Sequence, residues 1–374
     1  MIIPTINYLT GVHFGTGSTE RLPDVLSEYK VERPLVVTDR GLLELGFVDR
    51  LGVKPAAIFA DVETNPDEAG ALAGVAVYRE HNCDGIIGLG GGSPIDCAKC
   101  VSLLITHPEP LEQYALIRGG AARITANKPP FIAIPTTAGT GSEVGRAALV
   151  TMQSGRKLAV ISPHIIPDAA ICDPQLTREL PPLLTAATGL DAISHCVETF
   201  CSPKFNPVAE AIALDGLKRA WQNLPTAVRT GNNINSREEL MIAALEGGLS
   251  FQKGLGLIHS LSHPMGALTH RRLHHGMLNA IFLPHVLRFN ADTCPEKMRR
   301  MAETTGVGTD AESLARASEQ LNESIGLPGR LRDMGVTRED LAEIPAEAVA
   351  DHSTPTNPRQ VTEADCQAML EAAF

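Results

Sequence analysis

The residues best suited to chemistry are histidines gathered in one short stretch of the chain. Five of the twelve histidines fall in LIHSLSHPMGALTHRRLHHG, which spans positions 257 to 276. His259 and His263 are four residues apart, so on a helix both rings project from the same face. His274 and His275 follow a loop and precede a glycine. Grouped imidazoles are typical metal ligands, although a single pair at this spacing is more often structural.

A second pair with the same spacing lies upstream, in GLDAISHCVETF. Here Asp191 and His195 are one helical turn apart, so a carboxylate and an imidazole can hold one ion. A carboxylate with several imidazoles and no thiolate suits Fe²⁺ or Zn²⁺. Two such pairs together with the HHG segment favour a metal site over structural histidines.

A glycine-rich turn in the first half of the chain could bind a phosphate. GIIGLGGGSPIDCAK, from 85 to 99, is predicted to be a strand, a glycine run and the start of a helix. Ser93 is predicted as the N-cap, Pro94 as the first helical residue and Asp96 as the partner in a capping box. Bare amides at a helix N-terminus bind pyrophosphate. The pattern is not G-x-G-x-x-G, however, so a simple tight turn is an equal alternative.

A second turn strengthens the nucleotide interpretation. IPTTAGTGSEVGR, from 134 to 146, follows another apolar strand and carries four hydroxyls and three glycines. Open α/β sheets bind ligands at the carboxyl ends of their strands, where both turns would lie. Asp39, at the end of the strand RPLVVTD, could accept hydrogen bonds from a ribose and would repel a 2′-phosphate. This favours NAD over NADP, although Arg40 next to it weakens the inference.

The elements that must position these residues follow from hydrophobic patterning. Apolar strands separated by helical segments predict a doubly wound parallel sheet covered on both faces. After about Pro181 the strand signals stop and helix-forming sequence dominates. We therefore predict a nucleotide-binding α/β domain over 1–180 and an all-α metal-binding domain over 181–374. The predicted strands are 33–39, 56–62, 84–92, 131–137 and 168–174, and a helix is predicted at about 67–81.

Composition excludes several classes of partner. The 374 residues have a net charge of −11, no basic block and 4% aromatic residues, which argues against nucleic acid and anionic membranes. No apolar stretch is long enough to predict a membrane span, and the N-terminus does not match a signal peptide. Eight scattered cysteines are not a disulfide framework, so a cytoplasmic location is expected. The CAKC motif, Cys97 to Cys100, is interpreted as packing in a helix rather than as a redox site.

Four motifs in order along the chain carry a resemblance to a known family. GGGSPIDCAK, IPTTAGTGSEV, GLDAISHCVE and GLGLIHSLSHPMGAL with HHGMLNAIFLPHV resemble the iron-containing (group III) alcohol dehydrogenases. The resemblance implies that Asp191, His195 and His259 are metal ligands. It implies that His263 is a non-ligand histidine close to the metal and the nicotinamide. It also implies nucleotide contacts from Asp39, Gly91, Gly92, Ser93, Thr136 and Thr137, with Asp96 and Lys157 near the nucleotide.

The fourth ligand is where the sequence departs from the family. The stretch from Gly266 to His275 is two residues longer than in most members, and Leu-His replaces the usual Pro-His. His275 is the best match because glycine follows it directly, but His274 stays open. Arg271 and Arg272 lie in this longer loop. Together with Arg146 they are candidate cations for a carboxylate on the substrate.

The resemblance implies reversible hydride transfer between NAD(H) and a primary alcohol or aldehyde, with iron or alternatively zinc. The stretches NYLTGVHFG, YALIRGGAARIT, HHGMLNA and DHSTPTNPR resemble bacterial 4-hydroxybutyrate dehydrogenases, which implies 4-hydroxybutyrate and succinate semialdehyde as substrates. The alternatives are another short-chain alcohol, a diol or lactaldehyde, or a lyase of the dehydroquinate synthase type. A third possibility is a metal-binding module without catalysis. The expected partner is a small molecule, and the expected assembly is a homodimer or a higher homo-oligomer.

Overall fold

The structure is a computed structural model that describes residues 8, 10–268, 270–271 and 273–374. The described chain divides into two compact units. The sheet unit comprises Tyr8–Thr137 and Gly141–Thr177, and the helical unit comprises Ala138–Thr140 and Arg178–Phe374. The short segment Ala138–Thr140 thus belongs with the helices, although it follows a strand of the sheet.

The sheet unit is built on six parallel strands. The order of these strands determines where a ligand-binding edge is expected. The sheet has the order β1-β8-β5-β4-β2-β3, and a separate antiparallel pair, β6 and β7, lies outside it. The eight strands are β1 Gly11–Phe14, β2 Pro34–Val37, β3 Ala57–Phe59, β4 Gly85–Gly90, β5 Phe131–Pro135, β6 Ala147–Thr151, β7 Lys157–Ile161 and β8 Ala169–Cys172. The helices of this unit are α1 Leu22–Glu28, α2 Arg40–Glu44, α3 Glu68–Glu80 and α4 Gly92–Leu104.

Burial on both faces explains why the central strands are continuous apolar runs. Every residue of β2, β4, β5 and β8 is buried. Successive side chains of a strand point to opposite faces. Leu35 and Val37 accordingly lie in one hydrophobic cluster, and Val36 lies in a second. The predicted doubly wound parallel sheet is therefore confirmed, as are the five predicted strands and the predicted helix at α3.

The strand order contains one topological switch point. From β2 the chain moves outward to β3, and it then returns to place β4 on the other side of β2. Loops leaving β2 and β4 thus diverge, and the crevice at such a point is the usual ligand site of an open α/β sheet. Asp39 follows β2 and Gly91 follows β4, so both predicted nucleotide residues lie at this edge.

The predicted capping of α4 is wrong. The helix begins at Gly92 with Gly91 as its N-cap, and no side chain caps it. The hydroxyl of Ser93 donates instead to the carbonyl of Thr64. The Asp96 carboxylate accepts hydrogen bonds from Ser142 Oγ at 2.6 Å and from the Leu149 amide at 2.9 Å. These partners are distant in sequence, so tertiary contacts replaced the local capping box that the motif indicated.

The sheet unit also contains strands that the patterning did not reveal. β1 is a four-residue edge strand with no fully buried residue, so it lacks an apolar run. β6 and β7 form a hairpin outside the main sheet; half-buried and buried residues alternate in β6, and three buried residues lie between two half-buried ones in β7. None of these three strands is buried throughout, as β2, β4, β5 and β8 are.

The helical unit contains no strand among its described residues, in agreement with the patterning. Its helices are α5 Pro182–Cys201, α6 Pro207–Arg229, α7 Ile234–Ser250, α8 Leu257–Gly266, α9 His275–Asn290, α10 Pro295–Thr305, α11 Ala311–Ser324, α12 Ile344–Ala350 and α13 Glu363–Ala373. No helix of the described chain is long and apolar enough to cross a membrane.

The central helix of this unit is α5. Every residue from Thr185 to Cys201 is buried, because α6, α7 and α9 all pack against it. A helix that is buried on all sides must be apolar on all sides or must pair its polar groups. The polar residues inside α5 therefore need partners, and the two predicted ligands Asp191 and His195 are among them.

A buried carboxyl group in the sheet unit predicts a pH dependence of stability. Glu143 is 2% exposed, and burial raises its pKa to about 7, against the lowering effect of Lys99. A carboxyl whose pKa is raised by folding stabilises the fold at low pH. This contribution begins to be lost as the pH rises above about 4.5 and is fully lost above about 7.

We expect the free energy of unfolding to fall by on the order of 3 kcal/mol between pH 5 and pH 8 through this group. Glu143→Gln should remove that part of the dependence, as measured by the urea midpoint at each pH. Glu80→Gln, at an exposed position, is the matched control and should leave the slope unchanged. An unaltered slope in Glu143→Gln would contradict this expectation.

Candidate metal centre

One carboxylate oxygen in the helical unit is surrounded by imidazole nitrogens. The Oδ1 atom of Asp191 lies 3.4 Å from His195 Nε2, 3.6 Å from His259 Nε2 and 3.5 Å from His275 Nε2. Asp191 and His195 come from α5, His259 comes from α8, and His275 is the first residue of α9. Three helices thus bring the four predicted ligands together.

The spacing of these atoms fits a single bound ion. Metal bonds to nitrogen and oxygen of 2.0 to 2.2 Å place tetrahedral ligand atoms about 3.3 to 3.6 Å apart. The three distances to Asp191 Oδ1 lie in this range. Asp191, His195 and His259 are at most 4% exposed, and each offers an atom within 4.8 Å of the others. The His275 side chain is 34% exposed, so it lies at the open side of the centre.

Partners outside the centre fix which nitrogen of the His259 and His195 rings faces inward. His259 Nδ1 lies 2.6 Å from Glu198 Oε2, and His195 Nδ1 lies 3.2 Å from the carbonyl oxygen of Gly139. Each ring donates its Nδ1 hydrogen outward, which leaves Nε2 as the inward atom. Acceptors on the far nitrogen of a ligating histidine are the usual support of metal sites. Glu198 also accepts from the Ile258 amide at 2.6 Å, so it fixes α8 as well as the ring.

The charges of the centre are coupled. Burial by itself would raise the pKa of Asp191, but the surrounding imidazoles hold it below its usual range, so the carboxylate is ionised. Burial lowers the pKa of His195 to about 4, so that ring is neutral. Burial would also lower the pKa of His259, yet Glu198 and Asp191 raise it to about 9. Because ligands bind in their deprotonated form, a cation at this centre would displace the His259 proton.

Sequence reasoning missed Asn279, which lies in the middle of the centre. It is fully buried, and its Nδ2 donates to Asp191 Oδ1 at 2.8 Å. The same nitrogen lies 3.1 Å from His275 Nε2 and 3.3 Å from His259 Nε2. Asn279 follows His275 by four residues on α9, so the same-face rule that identified the histidine pairs also identifies it. Asn279 Oδ1 is buried with no hydrogen-bond partner among the described residues.

The glycine after His275 has a steric reason. A Cβ atom on Gly276 would lie 2.0 Å from the carbonyl oxygen of Ala187 and 2.7 Å from its carbon. The backbones of α5 and α9 therefore approach each other at the point where both helices carry ligand candidates. Only glycine permits that approach, which explains its place directly after the ligand candidate.

A second cluster of polar side chains, formed by His263, Asp351 and His352, lies next to the cluster around Asp191. His263 Nδ1 lies 2.9 Å from Asp351 Oδ2, and the His263 ring stacks on those of His275 and His352 at 5.5 and 5.3 Å. Burial lowers the pKa of His263, although Asp351 opposes the shift, so the ring is neutral at pH 7. Asp351 and His352 belong to the segment DHSTPTNPR, whose Thr354 hydroxyl donates to Ser260 Oγ on α8 at 2.8 Å.

The two neighbouring histidines of the HHG segment have different surroundings. His275 faces Asp191, whereas His274 is the N-cap of α9 and lines a pocket with Leu183, Met277 and Leu327. Burial lowers the pKa of His274, and its Nδ1 has no hydrogen-bond partner among the described residues. This placement favours His275 as the fourth ligand.

The loop ahead of these histidines is held by one carboxylate. Asp340 accepts from His270 Nε2 at 2.6 Å and pairs with Arg271 at 3.0 Å. The other arginine of the loop, Arg272, lies outside the described residues. Arg146, in the sheet unit, is half-buried, and its guanidinium makes no hydrogen bond or ion pair within the described part of the chain. Burial lowers the pKa of Arg146.

Several of the predicted nucleotide residues directly follow strands of the main sheet, whereas Lys157 begins β7 in the hairpin. Asp39 is the N-cap of α2 and accepts from the Leu42 amide at 2.9 Å. Gly91 is the N-cap of α4 and Gly92 is its first residue, and a Cβ on Gly91 would lie 3.3 Å from the Thr137 side chain. Other residues near these strands have partners within the sheet unit. Thr136 donates its amide to the Gly90 carbonyl, Lys157 Nζ donates to Asn65 Oδ1 at 2.8 Å, and Arg40 pairs with Asp61 at 2.6 Å.

Comparison with known proteins assigns the chain to a family. Residues 10–174 match the model for iron-containing alcohol dehydrogenase, and residues 185–374 match the C-terminal model of the Fe-containing alcohol dehydrogenase family. The protein belongs to the iron-containing alcohol dehydrogenases. The family predicted from four short motifs is thereby confirmed.

Individual relatives cover the whole chain. A 4-hydroxybutyrate dehydrogenase of Cupriavidus necator is 44% identical over 99% of each chain. The crystal structure of a 1,3-propanediol oxidoreductase superimposes with a TM-score of 0.92 at 35% identity, over 99% of this chain and 100% of that one. A sulfoacetaldehyde reductase from Bifidobacterium kashiwanohense in complex with NAD⁺ gives a TM-score of 0.91 at 27% identity, over 100% and 99% of the chains.

Proposed function

We propose that the protein is a metal-dependent, NAD-linked dehydrogenase that interconverts a primary alcohol and its aldehyde by hydride transfer. The observation that carries the proposal is the convergence of Asp191 Oδ1 with three imidazole Nε2 atoms at 3.4 to 3.6 Å. Family membership supports it, because the chain matches the iron-containing alcohol dehydrogenase models in both halves.

Asp191, His195, His259 and His275 would hold the divalent ion, and their donor set fits one. Three neutral nitrogens and one carboxylate suit Fe²⁺, and Zn²⁺ accepts the same ligands. A bound ion of this kind supplies Lewis acidity, which polarises a carbonyl oxygen or stabilises an alkoxide. The chain supports the set with Glu198 and the Gly139 carbonyl, which orient two of the rings. The ionised Asp191 supplies the negative charge that offsets the cation.

The sheet unit would bind NAD at its switch point. The main chain of Gly91, Gly92 and Ser93 opens α4, where the positive end of a thirteen-residue helix favours a pyrophosphate. Asp39 would accept hydrogen bonds from the ribose, and its charge favours NAD over NADP. Further contacts are proposed for Thr136, Thr137 and Lys157. Asp96 is proposed to act indirectly, because its carboxylate already holds Ser142 and Leu149.

His263 is the proposed proton carrier. Asp351 accepts the hydrogen of His263 Nδ1, so Nε2 is the atom left to take up or release a proton. Burial lowers the pKa of His263, which keeps the ring neutral and able to accept. Asp351 is therefore a positioning residue for this step.

Replacing Asp351 with asparagine is expected to lower kcat by about 10- to 100-fold. This is part of the roughly 100- to 10,000-fold that positioned proton transfer contributes. The loss arises because an amide carries no charge and can turn its NH₂ group toward His263. Bound metal should stay at the wild-type level, as measured by elemental analysis of the same sample. Asp292→Asn, at an exposed position, is the control. Loss of metal with kcat per bound ion unchanged would contradict the role of Asp351.

We propose 4-hydroxybutyrate and succinate semialdehyde as the substrate pair. The 44% identity to a 4-hydroxybutyrate dehydrogenase supports this choice, and so does the DHSTPTNPR segment, which packs against α8. A diol is the second candidate, supported by the likeness to a 1,3-propanediol oxidoreductase. The carboxylate of the first substrate pair needs a cation. Arg271 is engaged by Asp340, so Arg146 is the better candidate.

Arg146→Gln should raise KM for 4-hydroxybutyrate at least about tenfold, the loss of roughly one charge-assisted hydrogen bond. KM for butanol should stay within about twofold, because butanol lacks the carboxylate that pairs with the guanidinium. Initial rates at 340 nm over a range of each substrate measure both constants. Arg271→Gln is the matched control. An equal rise of KM for both substrates in Arg146→Gln would contradict carboxylate recognition by this residue.

One substrate panel tests the proposed function as a whole. Apo-protein refilled with Fe²⁺ or Zn²⁺ would be assayed at 340 nm with NAD and 4-hydroxybutyrate, 1,3-propanediol, butanol and ethanol. Succinate semialdehyde and lactaldehyde would be assayed with NADH. We expect metal-dependent activity with the highest kcat/KM for 4-hydroxybutyrate and succinate semialdehyde. Equal values for carboxylated and plain substrates would overturn the substrate proposal, and activity that persists in the metal-free protein would overturn the mechanism.

The remaining proposals concern the setting of the enzyme. We propose a cytoplasmic protein, which is supported by eight cysteines that are all free thiols. We propose a homodimer or higher homo-oligomer, to be tested by light scattering of the purified protein. We also propose that 1–180 carries the nucleotide function and 181–374 carries the metal function.

A further inference from the structure

The cluster of His263, Asp351 and His352 brings two imidazole nitrogens to one carboxylate oxygen. Asp351 Oδ2 lies 2.9 Å from His263 Nδ1 and 3.5 Å from His352 Nδ1. One ligand atom from each residue lies within 4.8 Å of the other two. His263 comes from α8, whereas Asp351 and His352 directly follow α12, which packs against α8. A carboxylate with two imidazoles is a donor set that transition metals bind.

The rings of this cluster are arranged as in the centre around Asp191. The His263 and His352 rings stack with their centroids 5.3 Å apart and their planes at 11°. In the other centre, the His195 and His259 rings stack at 4.7 Å and 19°. A pair of nearly parallel rings beside one carboxylate oxygen thus occurs in both places. The 3.5 Å separation also falls in the range of about 3.3 to 3.6 Å expected between tetrahedral ligands of one ion.

Solvent can reach this cluster more easily than the centre around Asp191. The side chains of His263, Asp351 and His352 are 10%, 12% and 18% exposed. Those of Asp191 and His259 are at most 5% exposed. Water is therefore able to supply the remaining ligand, and three protein ligands with one water form an open zinc site. The 2.9 Å contact is a hydrogen bond from His263 Nδ1, which a bound ion would replace.

We propose that this cluster is a second cation site and that it binds Zn²⁺. It shares no donor residue with the centre around Asp191, so both sites can be filled in one chain. Imidazole and carboxylate donors bind Zn²⁺ more tightly than Fe²⁺ in the general order of divalent metals. A site with only three protein donors depends on that difference, so zinc fills it at concentrations at which iron does not.

Zinc at this site would inhibit turnover, and this consequence rests on the proposed function. An ion bound to His263 Nδ1 leaves the one hydrogen of the neutral ring on Nε2. The proposed proton carrier uses Nε2, which in that form has no lone pair to accept a proton. Asp351, the positioning residue of the same step, is also taken up by the ion. We therefore expect zinc to lower kcat rather than to raise KM for the alcohol.

The test of the site uses the full-length protein loaded with one equivalent of Fe²⁺ in the absence of oxygen. After equilibrium dialysis against a series of Zn²⁺ concentrations, elemental analysis gives iron and zinc per chain in the same sample. We expect one iron and one zinc. Crystals measured on both sides of the zinc absorption edge should show zinc bonded to Asp351 and to the Nδ1 atoms of His263 and His352. Zinc that only replaces iron, with its peak at Asp191, would overturn the proposal.

Two variants make the binding result specific. His352→Ala removes one donor of the cluster and none of the centre around Asp191. Its zinc affinity should fall by at least about tenfold, since even outer partners of a ligand contribute that much, and its iron content should stay unchanged. His164→Ala, at an exposed position of the sheet unit, is the matched control and should bind zinc as the wild type does. Wild-type zinc affinity in His352→Ala would overturn the proposal.

Initial rates at 340 nm over the same zinc series test the inhibition, with each protein compared with its own rate without zinc. The wild type and His164→Ala should lose activity as the second site fills, whereas His352→Ala should need at least about tenfold more zinc. Zinc bound at the cluster with undiminished turnover would overturn the inhibitory role. A protein without dehydrogenase activity would overturn the proposed function instead, and the dialysis and the crystals would still decide the site.

Discussion

Replacing His259 with alanine is expected to abolish both metal retention and turnover. His259 is 1% exposed, and its Nε2 lies 3.6 Å from Asp191 Oδ1. Its loss removes one of four donors and also leaves Glu198 without the ring that its Oε2 contacts at 2.6 Å. The fall in metal affinity should exceed the roughly 10- to 100-fold that outer partners of a ligand produce.

Metal content per chain by elemental analysis and initial rates at 340 nm give the two readouts on one sample. His270→Ala is the matched control, because this histidine is 57% exposed and contacts Asp340 in the loop. It should keep the metal and most of the activity. Full activity of His259→Ala after chelation would show that the centre is not the site of the reaction.

Replacing Gly276 with alanine should destabilise the helical unit and empty the metal centre. Within an α-helix this change ordinarily stabilises by up to about 1 kcal/mol. Here the new Cβ would lie 2.0 Å from the Ala187 carbonyl oxygen, so α5 and α9 must separate. Overpacking of this kind costs about 1 to 3 kcal/mol, and it acts where His275 meets Asp191. We therefore expect a lower urea midpoint together with loss of metal.

Gly266→Ala is the control for this prediction. Among the described residues, no atom lies within 4 Å of a Cβ built at Gly266, which ends α8. Alanine there should leave the urea midpoint unchanged or raise it. The corresponding gain in the free energy of unfolding is at most about 1 kcal/mol. If Gly276→Ala were as stable as the wild type and bound metal normally, the close approach of α5 and α9 would not be required.

The sequence indicated the parts of the site that depend on local spacing. Asp191 with His195 and His259 with His263 are i, i+4 pairs, and each pair lies on one helix in the structure. The same rule would have identified Glu198 and Asn279, which follow His195 and His275 at helical spacing. They were overlooked because an acid and an amide inside an apolar helix do not form a recognisable ligand pattern.

Other parts of the site have no local signal. Asp351 contacts His263 across 88 positions of sequence, and the Gly139 carbonyl contacts His195 across 56. Only the folded chain brings such pairs together. Contacts between distant parts of the sequence also made the capping prediction at Ser93 wrong. Ser93 donates to Thr64, and Asp96 accepts from Ser142 and Leu149. In the sheet, the strands buried on both faces were visible as apolar runs, whereas the edge strand and the hairpin are only partly buried and were not predicted.

The position of the ion in crystals of the metal-loaded protein tests the metal centre most directly. Data collected on both sides of the iron absorption edge give an anomalous difference map in which iron alone changes. We predict one peak per chain, bonded to Asp191 Oδ1 and to the Nε2 atoms of His195, His259 and His275. A peak bonded to His274 would contradict the assignment of the fourth ligand. A peak at the neighbouring group of His263, Asp351 and His352, which could also hold an ion, would contradict the centre itself.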